Sequence, residues 1–173
     1  MARKSSSIAA RAAKKRTGAS YTRSKHISSR GTPSVTTRKP FISLQAFISN
    51  FFFLVAIQDN DAFFEETFEN TEARRIIETG NGEDFDRQGF KDFIAEFRST
   101  VFDRQLISQS FVVVPDDARG ITGDVAHNVE LSGIQQGTDV IIRIVAVLRI
   151  IFDHKMGKRL INMESFVLQT EET

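Results

Sequence analysis

The hydrophobic periodicity of the sequence changes near residue 102, and this change restricts the fold more than any other feature. Before it, apolar residues recur at the three- and four-residue spacing of helices. After it come four stretches that alternate or form long runs rich in Val, Ile and Phe, at residues 105–114, 121–132, 139–152 and 159–169. Helices followed by strands and tight turns predict an α+β fold, with three N-terminal helices packed on an antiparallel sheet.

The first predicted helix covers residues 41–57, which contain 13 apolar residues in 17. Such a segment after a basic stretch also resembles a signal sequence or a membrane anchor. A membrane-spanning helix needs about 20 apolar residues and no polar stripe. On a helical wheel, however, one half collects the polar residues Ser43, Gln45, Ser49 and Asn50. The segment is therefore predicted to be a core helix with one buried face, and no membrane span is expected.

Two further helices are predicted before the strands begin. The residues 59–61 break the first helix and cap a second one at 62–69, which is followed by a short strand at 74–78. Asp84 or Asp86 is expected to cap the third helix. Its apolar residues keep the spacing of one buried face, at Phe90, Phe93, Ile94, Phe97 and Val101.

The charges divide the chain into two parts. Residues 1–40 carry 11 of the 23 Lys and Arg and no acidic residue, so their charge is +11, whereas residues 41–173 carry −10. We expect a disordered, basic, Ser/Thr-rich tail at 1–40 and one folded domain at 41–173. The acidic domain is not expected to bind nucleic acid.

The tail has several interpretations. Its composition is typical of a mitochondrial transit peptide, while Lys14-Lys15-Arg16 suits nuclear import or loose phosphate binding. A solvated tail without a partner, or a misassigned gene start, is the alternative. The sequence predicts an intracellular protein of the cytoplasm or nucleus, with the mitochondrion as the alternative compartment.

The hairpin turns predict which side chains share a face of the sheet. Pairing of Asp139 with Ser132, and of Asp153 with Lys158, places an almost wholly apolar set on one face. This set comprises Val125, His127, Val129, Leu131, Ile142, Ile144, Ala146, Leu148, Ile161, Met163, Ser165 and Val167. The other face mixes polar and apolar residues, with Arg149 expected near Glu164, and suits a subunit interface or a solvated surface.

The element order and three stretches resemble the nuclear transport factor 2-like superfamily. The stretches are residues 81–90 (NGEDFDRQGF), 146–153 (AVLRIIFD) and 163–167 (MESFV). This superfamily of cone-shaped, cystatin-like α+β barrels includes SnoaL-like polyketide cyclases, ketosteroid isomerase and scytalone dehydratase. The resemblance implies a strongly curved sheet, a cavity that opens on its concave face, and a homodimer formed through the outer face.

His127 is the candidate catalytic residue, because it is the only titratable side chain on the predicted concave face of the long strands. An imidazole in an apolar cavity can take up and return a proton. The alternative is a core histidine that bonds to a backbone carbonyl or to Ser165. The other predicted pocket residues are Ser165, Phe51, Phe64, Phe97, Val125 and Met163.

Several chemistries are excluded or unsupported. The absence of cysteine excludes disulfides, thiolate catalysis and iron–sulfur clusters. The acidic runs Glu65-Glu66 and Asp116-Asp117 lack the spacing of a metal site, and no phosphate-binding glycine loop or nucleophile elbow occurs. The catalytic tyrosine of ketosteroid isomerase has no counterpart, since the only tyrosine is Tyr21, in the tail. We therefore expect no metal and no cofactor.

Three functions fit these observations. The first is a SnoaL-like domain that binds a hydrophobic small molecule in an apolar cavity. The second is a cofactor-independent lyase, isomerase or cyclase acting on a hydrophobic cyclic substrate, with His127 as acid/base. The third is a dimeric protein-interaction module. A cavity of roughly a few hundred Å³ favours the first two, and a filled core with an exposed apolar patch favours the third.

Overall fold

The structure is a computed structural model and describes residues 41–173. The tail predicted at 1–40, with its targeting alternatives, lies outside the described residues. The helices are α1 (Leu44–Phe52), α2 (Asp61–Thr71) and α3 (Arg87–Thr100), and a π-turn (Phe53–Ile57) follows α1. The strands are β1 (Glu72–Gly80), β2 (Glu83–Phe85), β3 (Val101–Pro115), β4 (Gly123–Gln135), β5 (Thr138–Asp153) and β6 (Lys158–Glu172). The predicted α+β class, with three helices packed on a sheet, is confirmed.

Helix α1 is shorter than the predicted segment and ends in the π-turn. The Ser43 side chain caps it by accepting a hydrogen bond from the Ala46 amide at 3.0 Å. The widened turn is closed by the Gln58 amide, which donates to the Phe53 carbonyl at 3.1 Å. The buried side of α1 consists of Leu44, Ile48 and Phe51. Among residues 41–173, none of the helices has the length and apolar character needed to cross a bilayer.

Helix α3 begins at the second of the two predicted caps. The Asp86 carboxylate accepts a hydrogen bond from the Gly89 amide at 2.7 Å. Near its other end, buried Arg98 donates to the carbonyls of Val55 and Gln58 at 3.2 and 2.6 Å and to Asp61 Oδ1 at 2.9 Å. Arg98 thereby joins α3 to the π-turn and to the start of α2.

The six strands form one open, mixed sheet in the order β2-β1-β6-β5-β4-β3. The expectation of a wholly antiparallel sheet is wrong at one place, because β1 pairs with β6 in parallel. Strand β2, which pairs with β1, was not predicted because it has only three residues. The helices cover one face of this sheet, which we call the inner face.

The β4–β5 hairpin closes through two residues instead of the predicted five. Gln136 and Gly137 have φ angles of +53° and +83°, as a tight primed turn requires. Asp139 consequently pairs with Ile134, so the predicted pairing with Ser132 is wrong. Since the error is two residues, every side chain of β4 and β5 still lies on its predicted face.

The β5–β6 pair contains a bulge that the sequence analysis missed. Asp153 pairs with Lys158 as predicted, but Ile150 pairs with Ile161 and Arg149 with Met163. Asn162 is therefore an extra residue without a partner on β5. Every later side chain of β6 consequently lies on the face opposite to the predicted one.

The bulge corrects the predicted faces of β6. Met163, Ser165 and Val167 lie exposed on the outer face, whereas the inner face carries Glu164, Phe166 and Leu168. The predicted contact between Arg149 and Glu164 is also wrong. Arg149 instead binds both carboxylate oxygens of Asp116 at 2.9 and 2.8 Å and Asp124 Oδ1 at 3.3 Å.

The core lies between the inner face and the helices. Its fully buried side chains come from α1, α2, β4, β5 and β6, and the largest are Phe68, Ile48, Leu131, Ile142, Leu148, Ile150 and Ile161. Phe166 completes this core by contacting the rings of Phe90 and Phe93, at centroid distances of 5.7 and 5.3 Å.

Gly80 allows Phe166 to reach this position, which gives a first prediction. A Cβ atom at residue 80 would lie 2.2 Å from Phe166 Cζ. We expect Gly80→Ala to lower the free energy of unfolding by about 1–3 kcal/mol, because the ring must move out of a packed core. Urea denaturation measures this loss. Adding Phe166→Leu should cost less in the Gly80→Ala protein than in the wild type, whereas additive losses would contradict the predicted contact.

Candidate functional site

A small apolar pocket lies between the helices and the inner face of the sheet. Its free volume is about 60 Å³, about the share of two water molecules in the liquid. Side chains of α1, the π-turn and α3 line it opposite those of β4, β5 and β6. The lining residues are Ile48, Phe51, Phe52, Val55, Ala56, Phe90, Phe93, Ile94, Phe97, His127, Ile144, Ala146, Leu148, Glu164, Phe166 and Leu168. Only His127 and Glu164 bring polar atoms of their side chains to this wall.

Two aromatic rings hold the imidazole of His127. The side chain is 2% exposed. Phe111 stacks on it with centroids 4.3 Å apart and planes 7° apart, and Phe52 meets it edge to face at 5.3 Å. Strand β4 and its neighbour β3 position the histidine and Phe111 as direct cross-strand partners. The orientation of the ring is therefore fixed by packing.

A hydrogen-bond chain sets the tautomer of His127. Its Nε2 lies 3.2 Å from Gln109 Oε1, and the Nε2 group of Gln109 donates to Ser49 Oγ at 3.1 Å. A carbonyl oxygen only accepts, so His127 Nε2 carries the proton in this arrangement. Nδ1 is then an acceptor, and no described residue bonds to it. Ser49 and Gln109 were not recognised in the sequence, because their contact spans 60 positions.

Burial determines the charge of His127. Desolvation lowers its pKa to about 4. The ring is therefore neutral at pH 7 and presents an uncharged acceptor next to the apolar pocket. A group with this pKa is a weak base at neutral pH.

Glu164 is the second polar group of the wall. Burial raises its pKa to about 8. It also lies beside two other buried carboxylates, Glu72 and Glu78, with one oxygen from each of the three within 4.8 Å of the others. Glu164 is predicted to face outward because no residue type marks the bulge at Asn162. The available signal is the spacing of Ile161 and Phe166, which are both buried and lie five positions apart. Residues on one face of an unbroken strand are separated by an even number of positions, so an odd spacing indicates a bulge.

The other predicted pocket residues divide into three groups. Phe51 and Phe97 line the pocket. Phe64 and Val125 are buried in the same core but do not reach the pocket, and Phe64 packs under the Arg98 guanidinium at 4.9 Å. Ser165 and Met163 lie on the outer face because of the bulge, so their assignment to the pocket is wrong.

The lowered pKa of His127 gives a second prediction. In the unfolded chain a histidine titrates near pH 6.5, so between pH about 6.5 and 4 the unfolded state binds a proton that the folded state rejects. As the pH is lowered from about 6.5 to 4, the free energy of unfolding of the wild type should therefore fall by up to about 3 kcal/mol relative to that of His127→Phe. Urea denaturation across this pH range measures the difference, in which the titration of Glu164 cancels.

His154→Phe is the matched control, because His154 is exposed in the β5–β6 turn. It should keep the wild-type pH dependence. Parallel stability curves for the wild type and His127→Phe would show that His127 titrates in the folded protein as it does in the unfolded chain, which would contradict the prediction.

Comparisons with solved structures identify the fold. A conserved protein from Planctomyces limnophilus superposes with a TM-score of 0.58 at 9% identity, over 73% of this chain and 97% of that one. A protein from Exiguobacterium sibiricum, described as a calcium/calmodulin-dependent kinase II association domain, gives 0.52 at 16% identity over 73% and 91%. An NTF-2-like protein of unknown function from Pseudomonas aeruginosa gives 0.51 at 8% identity over 72% and 97%.

Sequence comparisons give no relative. No protein-family model matches the chain, and no curated protein is significantly similar to it. The structural matches nevertheless cover almost the whole of each matched chain and nearly three quarters of this one. The described domain therefore has the α+β fold of the nuclear transport factor 2-like superfamily.

Proposed function

We propose that this protein binds a small, mainly apolar molecule in the pocket, with His127 as its hydrogen-bond acceptor. The observation that carries the proposal is a neutral imidazole, fixed by Phe111 and Gln109, on a wall whose only other polar side chain among the described residues is Glu164. Few polar groups that converge on an apolar pocket are typical of small-molecule sites. A ligand hydroxyl or amide would give the unbonded Nδ1 atom its donor.

The size of the pocket limits the ligand. A free volume of about 60 Å³ is well below the roughly 300–1,000 Å³ of typical ligand sites, and this pocket is smaller than the cavity of roughly a few hundred Å³ expected for the first two functions. The ligand is therefore small, and a ring-sized molecule enters by rotation of the half-buried side chains Phe52, Phe93 and Phe97. These three rings form the adaptable part of the wall.

Binding is favoured over catalysis by the same burial. An acid/base role for His127 in a lyase, isomerase or cyclase needs a pKa near the working pH. Its pKa of about 4 leaves it neutral and weakly basic at pH 7. A neutral acceptor suits recognition of a ligand donor better than removal of a proton from carbon.

Phenol and toluene test the role of His127, because they share a ring and differ by a hydroxyl group. The ratio of phenol affinity to toluene affinity should be about 2–10-fold higher in the wild type than in His127→Phe, the worth of one neutral hydrogen bond. NMR titration of the methyl signals of Ile144 and Leu148 measures both affinities. An equal ratio in the two proteins, or shifts confined to outer-face methyl groups, would refute the proposal.

We also propose that the chain forms a homodimer through the outer face of the sheet. Exposed apolar side chains lie on the neighbouring strands β1, β6 and β5 and on β3, which Ala126 of β4 separates from β5. We call this set the outer patch: Val112, Val145, Val147, Val167, Met163 and Ile77. Ion pairs flank the outer patch, with Arg149 bound to Asp116 and Asp124 on one side and Arg143 to Glu130 and Glu171 on the other. An apolar centre with a polar rim is the usual anatomy of an interface.

Val147→Glu tests the dimer, because it places a charge at the centre of the outer patch. We expect light scattering after size-exclusion chromatography to give a dimer for the wild type and a monomer for the variant. Met156→Glu is the control, since Met156 is 53% exposed in the β5–β6 turn outside the patch, and it should remain dimeric. A monomeric wild type, or a dimeric Val147→Glu, would overturn the proposal.

A further inference from the structure

Three glutamates from distant parts of the sequence meet beneath the helices. Glu78 on β1 is the direct parallel partner of Glu164 on β6, and a register shift between Glu72 and Ile77 turns Glu72 toward the same point. One carboxylate oxygen from each of the three lies within 4.8 Å of the others. We call this set the glutamate cluster.

The carboxylates of the cluster are buried and unpartnered. Glu72, Glu78 and Glu164 are 2%, 1% and 9% exposed. Both oxygens of Glu72 and Glu78, and Oε2 of Glu164, have no hydrogen-bond partner among the described residues. This distinguishes the cluster from ordinary acidic groups, which lie in solvent. A buried carboxylate without a counter-ion or a donor is strongly unfavourable.

The neighbouring basic side chains bind elsewhere. Arg87 acts on Glu72 through its charge, but its two terminal nitrogens bind the oxygens of Glu69 at 3.2 and 3.1 Å, and its buried Nε atom has no partner among residues 41–173. Lys91 is bound to Glu65 and Glu69. Within the described part of the chain, no basic side chain therefore bonds to a carboxylate of the cluster.

We propose that Glu72, Glu78 and Glu164 form a binding site for a divalent cation of the size of Ca²⁺. The donors are all carboxylate oxygens, which hard cations prefer. Three carboxylates that each bind through both oxygens supply six ligands, the lower end of the six to eight that Ca²⁺ takes.

The spacing of the oxygens is compatible with one bound ion. With Ca²⁺–oxygen distances of roughly 2.3–2.6 Å, two ligands on opposite sides of one ion lie about 4.6–5.2 Å apart, and adjacent ligands lie closer. Oxygens within 4.8 Å of one another can therefore share a single ion. The preference for Ca²⁺ over Mg²⁺ comes from the donors, because Mg²⁺ usually keeps several waters and binds through one or two carboxylates.

The electrostatics agree with this geometry. Burial, followed by the charge of Glu164, raises the pKa of Glu78 to about 11 and that of Glu72 well above its usual value. Three bare carboxylates are therefore disfavoured at this point, and a cation would compensate them. Because Glu164 also lines the apolar pocket, the ion would fix one part of the pocket wall.

Mn²⁺ is the probe for the experiment, because its electron paramagnetic resonance signal disappears on binding and its ligand preference is similar. Full-length protein, first freed of metal with a chelator, should bind one Mn²⁺ per chain, and Ca²⁺ should displace it. Ca²⁺ should also raise the melting temperature of the wild type by several degrees.

Glu78→Gln removes one ligand charge with little change in shape. It should weaken Mn²⁺ binding by at least about tenfold, which is the smallest effect usually seen when even an outer-shell partner of a metal ligand is lost. It should also abolish the effect of Ca²⁺ on the melting temperature. Glu72→Gln, made in parallel, should show the same loss. Glu83→Gln, on the exposed strand β2, is the matched control and should bind as the wild type does.

The glutamine variants also report on folding. Each replaces a buried acidic group by a neutral amide of the same shape, so its melting temperature in chelator should equal or exceed that of the wild type. A wild type that leaves the Mn²⁺ signal unchanged at about 1 mM metal, or glutamine variants that bind as well as the wild type, would overturn the cation site. The carboxyl groups would then hold protons. Neither outcome bears on the phenol test of the pocket.

Discussion

The register of the β5–β6 pair determines what the inner face of this protein contains. One extra residue, Asn162, lies between the pairs Ile150–Ile161 and Arg149–Met163. Without it, Glu164 and Phe166 would point to the outer face, and the pocket would lose its acidic wall and a core ring. With it, Glu164 faces the helices beside Glu78, while Met163 and Val167 join the exposed outer patch. Both proposed small-ligand sites and the proposed dimer surface therefore depend on a single bulge.

Local patterns predicted much of the fold. Helix α3 has its apolar residues at helical spacing and an Asp cap, and both signals lie within 14 residues of chain. The faces of β4 and β5 also follow from alternation, and an error of two residues in the turn did not change them. The parallel pairing of β1 with β6 was not predictable in this way, since it joins segments about ninety residues apart and no short-range signal specifies it.

The candidate site was predicted in part, and the failures have physical causes. His127, Phe51 and Phe97 reach the pocket because their own elements orient them. Ser165 and Met163 do not, because a bulge changes direction without requiring a particular residue type. Glu164 is predicted on the outer face when the pairing of Asp153 with Lys158 is extended without a bulge, yet its neighbours in the fold are Glu72 and Glu78. Residues that violate a general preference are often functional, and sequence patterns alone do not find them.

Arg98 connects two of the helical segments that line the pocket, α3 and the π-turn. Its guanidinium donates hydrogen bonds to the carbonyls of Val55 and Gln58, which in a longer helix would accept from the backbone of the next turn. Two pocket residues of the π-turn, Val55 and Ala56, are thereby fastened to α3, which supplies the facing rings of Phe93 and Phe97. These hydrogen bonds tie the π-turn to α3, so we expect the pocket to widen by rotation of individual rings and not by separation of these two elements.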